Sequence, residues 1–93
     1  MAAGGVYRNL DFTDTFLETY AAKDFSGADR RAFRMALRLL AENERHPSPR
    51  VHKLQGDREG SWSAAASDVV RMTFERVGED RKRMLTCSRH YGD

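Results

Sequence analysis

The sequence predicts an α+β domain, with a small, mainly antiparallel sheet and two N-terminal helices packed on one of its faces. Three observations carry this reading. Two segments with helical spacing of apolar residues, 13–23 and 26–43, lie in the first half of the chain. Four short segments with strand character fill the second half, punctuated by Gly- and Pro-bearing turns. One more alternating segment precedes the helices. Helices grouped ahead of a run of strands, rather than alternating with them, favour an antiparallel sheet covered on one side, and leave its other face free to carry a site. The 93 residues make one domain, 1–93. A chain of this length buries only about two-thirds of its unfolded surface. That excludes a large enzyme with a deep cleft and leaves a small ribonuclease, a binding module or a subunit.

The elements follow in order. Residues 6–12 alternate, with Val6, Arg8, Leu10 and Phe12 on one side, and read as a strand. Thr13 is positioned as an N-cap, with Phe12 and Leu17 at the two staple positions. Phe16, Leu17 and Tyr20 stripe a short helix ending near Lys23. Ser26-Gly-Ala-Asp29 has the form of a capping box and starts a second helix. Its buried stripe is Phe33, Ala36, Leu37, Leu40 and Ala41, and Arg31, Arg34 and Arg38 line another face. Asn43 marks its end. His46-Pro47-Ser48-Pro49 cannot continue a helix, because proline lacks an N–H and restricts the residue before it.

Arg50–Leu54 reads as a short strand and Gln55–Gly60 as a polar turn. In 61–67, Trp62, Ala64 and Ala66 share one face. Val69–Arg76 carries the clearest strand signal. Val70, Met72 and Phe74 point one way, and Val69, Arg71, Thr73 and Glu75 the other. Ser67-Asp68 forms the tight connection before it. Residues 77–81 read as a hairpin loop. Arg83–Ser88 reads as a last strand, with Leu85 and Cys87 on one face and Met84 and Thr86 on the other.

Charge is uneven. Lys and Arg number 16 against 14 Asp and Glu, a formal net charge of +2. Residues 1–44 carry six basic and seven acidic groups, and residues 45–93 carry ten and seven. The second half therefore suits a polyanionic partner. Cys87 is the only cysteine. The sequence carries no disulfide framework, and no segment reads as a signal peptide, so the expected compartment is the reducing cytoplasm. No apolar run approaches a membrane span of about 20 residues.

One cysteine and three scattered histidines give no zinc spacing, and there is no P-loop or dinucleotide fingerprint. Ser61, Ser63 and Ser67 lack a neighbouring His-Asp pattern. Cys87 reads as a small buried residue. Arg71 is different, because it interrupts a run of β-formers in what should be a central strand. A charge there requires solvent, a salt bridge to Asp68 or Glu75, or a bound anion. His52 lies in a short basic strand between Arg50 and Lys53, and alternation leaves its direction open. His90 precedes Tyr91 at the end of the sequence. Together His52, His90 and Arg71 form a sufficient set for RNA cleavage through the 2′-hydroxyl. One imidazole takes the 2′-OH proton, the other protonates the leaving 5′-oxygen, and the guanidinium stabilises charge on the phosphorane. Arg50, Lys53 and Arg89 are candidates for neighbouring phosphates. This chemistry needs no metal and no other cofactor.

The run HPSPRVHKLQG, then GSWS, then RMTFER, then MLTCSRHY resembles the RelE/ParE toxin superfamily of bacterial toxin–antitoxin systems, with its nearest likeness to the RelE- and YoeB-type mRNA interferase branch. The resemblance covers the chain from the second helix to the end, and the order of its parts is more specific than any one of them. It implies a RelE-like fold and ribosome-dependent cleavage of mRNA. The implied partners are a cognate antitoxin and the bacterial ribosome with its mRNA, without a membrane. Carried over by position, the strand arginine falls on Arg71, the terminal histidine on His90 and the following aromatic on Tyr91. The position that holds a base in relatives falls on His52, and Trp62 takes a structural position. YoeB-like chains stop at His-Tyr, whereas Gly92 and Asp93 follow here and add a negative charge beside His90. Two rival readings share the fold: a ParE-like, non-catalytic inhibitor of DNA gyrase, and an inactive family member acting as a binding partner. The catalytic reading also carries a geometric requirement. The last strand must pair within the sheet so that His90 comes close to Arg71.

Overall fold

The computed structural model describes residues 7–43, 45–56 and 60–89. Its elements run β1 (Leu10–Phe12), α1 (Asp14–Tyr20), α2 (Gly27–Glu42), β2 (His52–Lys53), β3 (Trp62–Ala65), β4 (Val70–Arg76) and β5 (Lys82–Arg89). The strands form one sheet in the order β1-β5-β4-β3-β2. Only β1 pairs in parallel, beside β5, and the other three pairings are antiparallel. The α+β reading and its order of elements hold. Individual strands are shorter than the alternation suggested, above all β2, which keeps two paired residues of the expected 50–54.

Both helices begin where their caps dictate. The Thr13 hydroxyl accepts from the Phe16 N–H at 3.0 Å and donates to the Met84 carbonyl at 2.9 Å, so one side chain starts α1 and ties it to β5. At α2, the Ser26 hydroxyl accepts from the Asp29 N–H and the Asp29 carboxylate accepts from the Ser26 N–H, both at 3.0 Å. This reciprocal pair satisfies two of the four N–H groups that a helix start leaves open. Phe33, Ala36, Leu37 and Leu40 are buried from α2, and Phe16 from α1. They meet Ala64, Val70, Met72, Phe74, Met84 and Cys87 from the sheet. Phe25, between the helices, meets Phe33 edge-on at 5.0 Å, a geometry that aromatic quadrupoles favour.

Three expectations are corrected. First, Leu17 is not a staple residue, being 52% exposed. Phe12 instead packs on Phe16, with ring centroids 5.3 Å apart. Second, the facing of β5 changes partway. Thr73 lies opposite Thr86, but Phe74 lies opposite Met84, so Leu85 is an extra residue in a β-bulge. One inserted residue reverses parity. Met84 and Cys87 therefore both enter the core, and Thr86 turns to the other face. Third, β5 begins at Lys82, ahead of the expected start. Lys82 is buried, and its ammonium donates to the Leu40 carbonyl at 3.4 Å.

Candidate functional site

The face of the sheet away from the helices is built from residues that alternate with the core set. Register places them in rows, because directly paired residues share a face. His52 pairs with Ser63, Ser63 with Thr73, and Thr73 with Thr86. In the next row Ala65 pairs with Arg71, and Arg71 with Ser88. His52 and Arg71 therefore share this face, two strands and one two-residue step apart. At ordinary strand spacings that is a Cα separation of about 12 Å. Only small side chains, Ser63, Ala65 and Thr73, lie between them. The direction of His52, open in the sequence, is settled by this register.

The local geometry of His52 orients its ring. Its Nδ1 lies 3.2 Å from the Arg50 carbonyl oxygen. A carbonyl only accepts, so this contact places the imidazole hydrogen on Nδ1 and leaves the Nε2 lone pair able to take a proton. Arg50 makes the turn into β2 with φ of 48°, a left-handed backbone conformation that non-glycine residues seldom adopt. Its own guanidinium lies 3.9 Å from the Asp68 carboxylate, with both side chains exposed.

Arg71 has no carboxylate partner among the described residues. Glu75, one of its two expected partners, is taken by Arg83 at 2.8 Å. Asp68, the other, lies near Arg50. Arg71 instead donates from Nη1 to the Ser67 carbonyl at 2.6 Å. Ser67 also organises the connection before β4, since its hydroxyl accepts from the N–H groups of Val69 and Val70. One neutral acceptor leaves the guanidinium charge uncompensated and most of its fork of donors open to an anion. The role of Ser67 was not drawn from the sequence, although a serine two residues ahead of a strand is a standard side-chain turn signal. The hydroxyls of Thr73 and Thr86, 2.6 Å apart, link β4 to β5 across this face. The bulge brings Thr86 there, which simple alternation does not reveal.

The other candidates are dispersed. Lys53 follows His52 and so faces the helix side, with its ammonium 5.6 Å from the centre of the Trp62 ring. Arg89 also faces the helices, and Nη2 donates to the Asp24 carbonyl at 2.8 Å and the Asp29 carboxylate at 3.1 Å. It ties the end of β5 to the start of α2. Asp29 is held below the usual carboxylate range, first by the Ser26 N–H and then, against some desolvation, by the Arg89 charge. His90 and Tyr91 lie outside the described residues. The strand leading to them pairs within the sheet, with Ser88 beside Arg71 and Arg89 beside Val70, and the required approach of His90 to Arg71 falls outside the described residues.

Cys87 is not poised as a nucleophile, because burial pushes its thiol up to about 12 and suppresses the thiolate. Among the described residues no three His, Cys, Asp or Glu side chains gather as a metal site. No helix among them is long and apolar enough to cross a membrane.

No protein-family model matches the chain, and no curated protein matches it in sequence. Solved structures do match in fold. A YoeB/ParE toxin from Agrobacterium tumefaciens superposes with a TM-score of 0.70 at 20% identity, over 89% of this chain and 99% of that one. The YoeB–YefM complex from Staphylococcus aureus gives 0.67 at 18% identity, covering 89% and 97%. YafQ from E. coli gives 0.69 at 14% identity, covering 86% and 90%. The chain has the fold of these toxins over nearly their whole length.

Proposed function

We propose that this protein is the toxin of a toxin–antitoxin pair in the RelE/ParE superfamily, and that it cleaves mRNA on the bacterial ribosome. The observation that carries the reading is the sheet register. It sets the His52 imidazole and an arginine with no carboxylate partner among the described residues on the sheet face away from the helices. Shared fold with YoeB and YafQ supports it, and the YoeB–YefM complex supports an antitoxin as partner.

In this reading His52 takes the proton from a ribose 2′-OH. The 2′-oxygen forms a bond to phosphorus as the bond from phosphorus to the 5′-oxygen breaks, and His90 protonates that leaving oxygen. The products are a 2′,3′-cyclic phosphate and a 5′-hydroxyl, so charge and protons balance without a metal. Arg71 donates to the equatorial oxygens as charge collects there. Tyr91 offers a ring for a neighbouring base, and Arg50 a cation at the edge of the face.

The test is a translation reaction on bacterial ribosomes, with the cleaved ends analysed, beside a gyrase supercoiling assay. Ribosome-dependent products ending in 2′,3′-cyclic phosphate, lost in His90→Ala, are expected. Inhibition of gyrase without RNA cleavage would instead select the ParE-like reading. Neither activity, together with no growth arrest on expression without antitoxin, would select an inactive binding partner.

A further inference from the structure

The helix side of the sheet holds a second basic region that, Arg50 at its border apart, the proposed chemistry does not use. It lies where the chain leaves α2 and enters β2. A cleft there is lined by Arg45, His46, Pro47, Arg50, Val51 and Trp62. None of the described lining residues is acidic. Arg45 is exposed and has no carboxylate partner among the described residues, and Arg50 has only the loose 3.9 Å approach to Asp68. The Nδ1 of His46 accepts from the Ser48 N–H at 3.2 Å. In the neutral ring that leaves Nε2 carrying the hydrogen, so His46 is a donor whether charged or neutral. Trp62 forms a wall of the cleft. The Arg76 guanidinium lies over its ring at 4.2 Å and the Lys53 ammonium stands 5.6 Å from its centre. Contact with the ring fixes the long Lys53 side chain without neutralising it.

We infer that this cleft is a binding site for a single-stranded polynucleotide backbone, separate from the proposed cleavage face and joined to it round the β2 edge. The inference rests on the proposed ribonuclease reading for the choice of ligand. Sheet register puts His52 on the cleavage face and Lys53 at the cleft's Trp62 wall, while Arg50, whose φ of 48° takes it out of the strand's alternation, lines the cleft. A strand of RNA held by Arg45, His46, Arg50 and Lys53 therefore already lies at the border of the cleavage face. The phosphates have two possible sources, the mRNA being cut or exposed ribosomal RNA, and the cleft chemistry is the same for both.

Trp62 is the only tryptophan, so its fluorescence reports on this cleft alone. The full chain is titrated with a 2′-O-methyl single-stranded oligonucleotide, which cannot be cleaved, and separately with small ribosomal subunits. Wild type is compared with Arg45→Ala/Lys53→Ala, with Arg45→Lys/Lys53→Arg, and with His52→Ala/Arg71→Ala. The expected result is a Trp62 response in wild type. Removal of the two cations weakens binding about tenfold and lowers the salt slope by about 1.4, as for two phosphate contacts to a single strand. The charge-keeping variant and the cleavage-face variant retain the Trp62 response. An effect with the oligonucleotide assigns the cleft to mRNA, and one with subunits alone assigns it to ribosomal RNA. No Trp62 response to either ligand, or unchanged affinity and salt slope in Arg45→Ala/Lys53→Ala, overturns the inference. A response to poly-L-glutamate but to neither RNA also overturns it, by assigning the cleft to an acidic protein segment. If RNA cleavage is absent while the Trp62 response persists, the cleavage reading fails and the cleft stands.

Discussion

The two faces of the sheet follow opposite rules. On the helix side, every strand but β2 contributes apolar residues that are almost fully buried, including Leu10, Ala64, Val70, Met72, Phe74 and Met84. On the other side, β2 to β5 carry the exposed His52, the half-buried Arg71 and Thr86, and the buried Ser63 and Thr73. The first face is specified by volume and hydrophobicity, so a change there is felt as stability. The second is specified by donors and charge, so a change there is felt as chemistry. Arg71 shows the difference within one strand. Its neighbours Val70 and Met72 are fully buried in the core, whereas Arg71 needs only the Ser67 carbonyl and keeps its charge available. The lesson is that one alternating strand supports the fold with one set of residues and carries the candidate site with the other.

The contrast breaks first on the core side. Phe33→Ala removes a fully buried ring and is expected to cost about 3–5 kcal/mol. A chain this size has about 5–14 kcal/mol of total stability at ordinary values per residue, so the variant should lose a large share of it. Urea titration reads this directly, and a loss under about 1 kcal/mol would show that the helix layer is not what holds the sheet.

On the open side, Arg71→Ala should reduce cleavage about 10²–10³-fold, the usual loss for one transition-state donor. Its unfolding free energy should move by no more than about 1 kcal/mol, the ordinary worth of the hydrogen bond to Ser67. Equal losses of stability and activity would erase the distinction between the faces.

Caps give a smaller effect. Ser26→Ala should cost about 1 kcal/mol by removing the acceptor for the Asp29 N–H, seen as a lower urea midpoint at unchanged slope.

Asp29 supplies a pH test of the same junction. Its folded pKa lies below its ordinary value of 3.8, so its contribution is complete above that value and is lost as pH falls through the folded pKa. The stability difference between wild type and Asp29→Asn should therefore be constant near neutrality and shrink below about pH 4. A difference that stays constant down to pH 2 would mean that the carboxylate charge at this junction contributes nothing.

The smallest effect concerns Cys87. With its thiol raised to about 12, alkylation at pH 8 should be slow in the native protein and rapid once it is unfolded. Rapid native labelling would show that the core face is open at β5.

Much of this architecture is legible in the sequence because period and punctuation agree. Thr13 and the Ser26–Asp29 box start helices where their side chains satisfy open N–H groups, and the parity of β4 from Val70 to Glu75 is as alternation requires. The unreadable parts have physical causes. The bulge at Leu85 adds one residue to one strand without a local marker and so reverses the facing of Met84 and Thr86. Leu17 sits at a staple position, but Phe12 has a better partner in Phe16. For the site, Arg71 was legible as a charge in an apolar strand, but its release from Asp68 and Glu75 depends on where Arg50 and Arg83 fall after folding. Arg89 and Lys53 looked equivalent to Arg50 as phosphate ligands. Parity and the Asp29 carboxylate place them on the helix side, a result of pairing rather than of composition.

The most direct test of the two-face account is single-turnover cleavage of a defined mRNA on bacterial ribosomes, with wild type, Arg71→Ala and His90→Ala assayed beside their urea midpoints. The account predicts cleavage by wild type, a loss of about 10²-fold or more in each variant, and midpoints close to wild type. Three equal cleavage rates, or none above background, would contradict it.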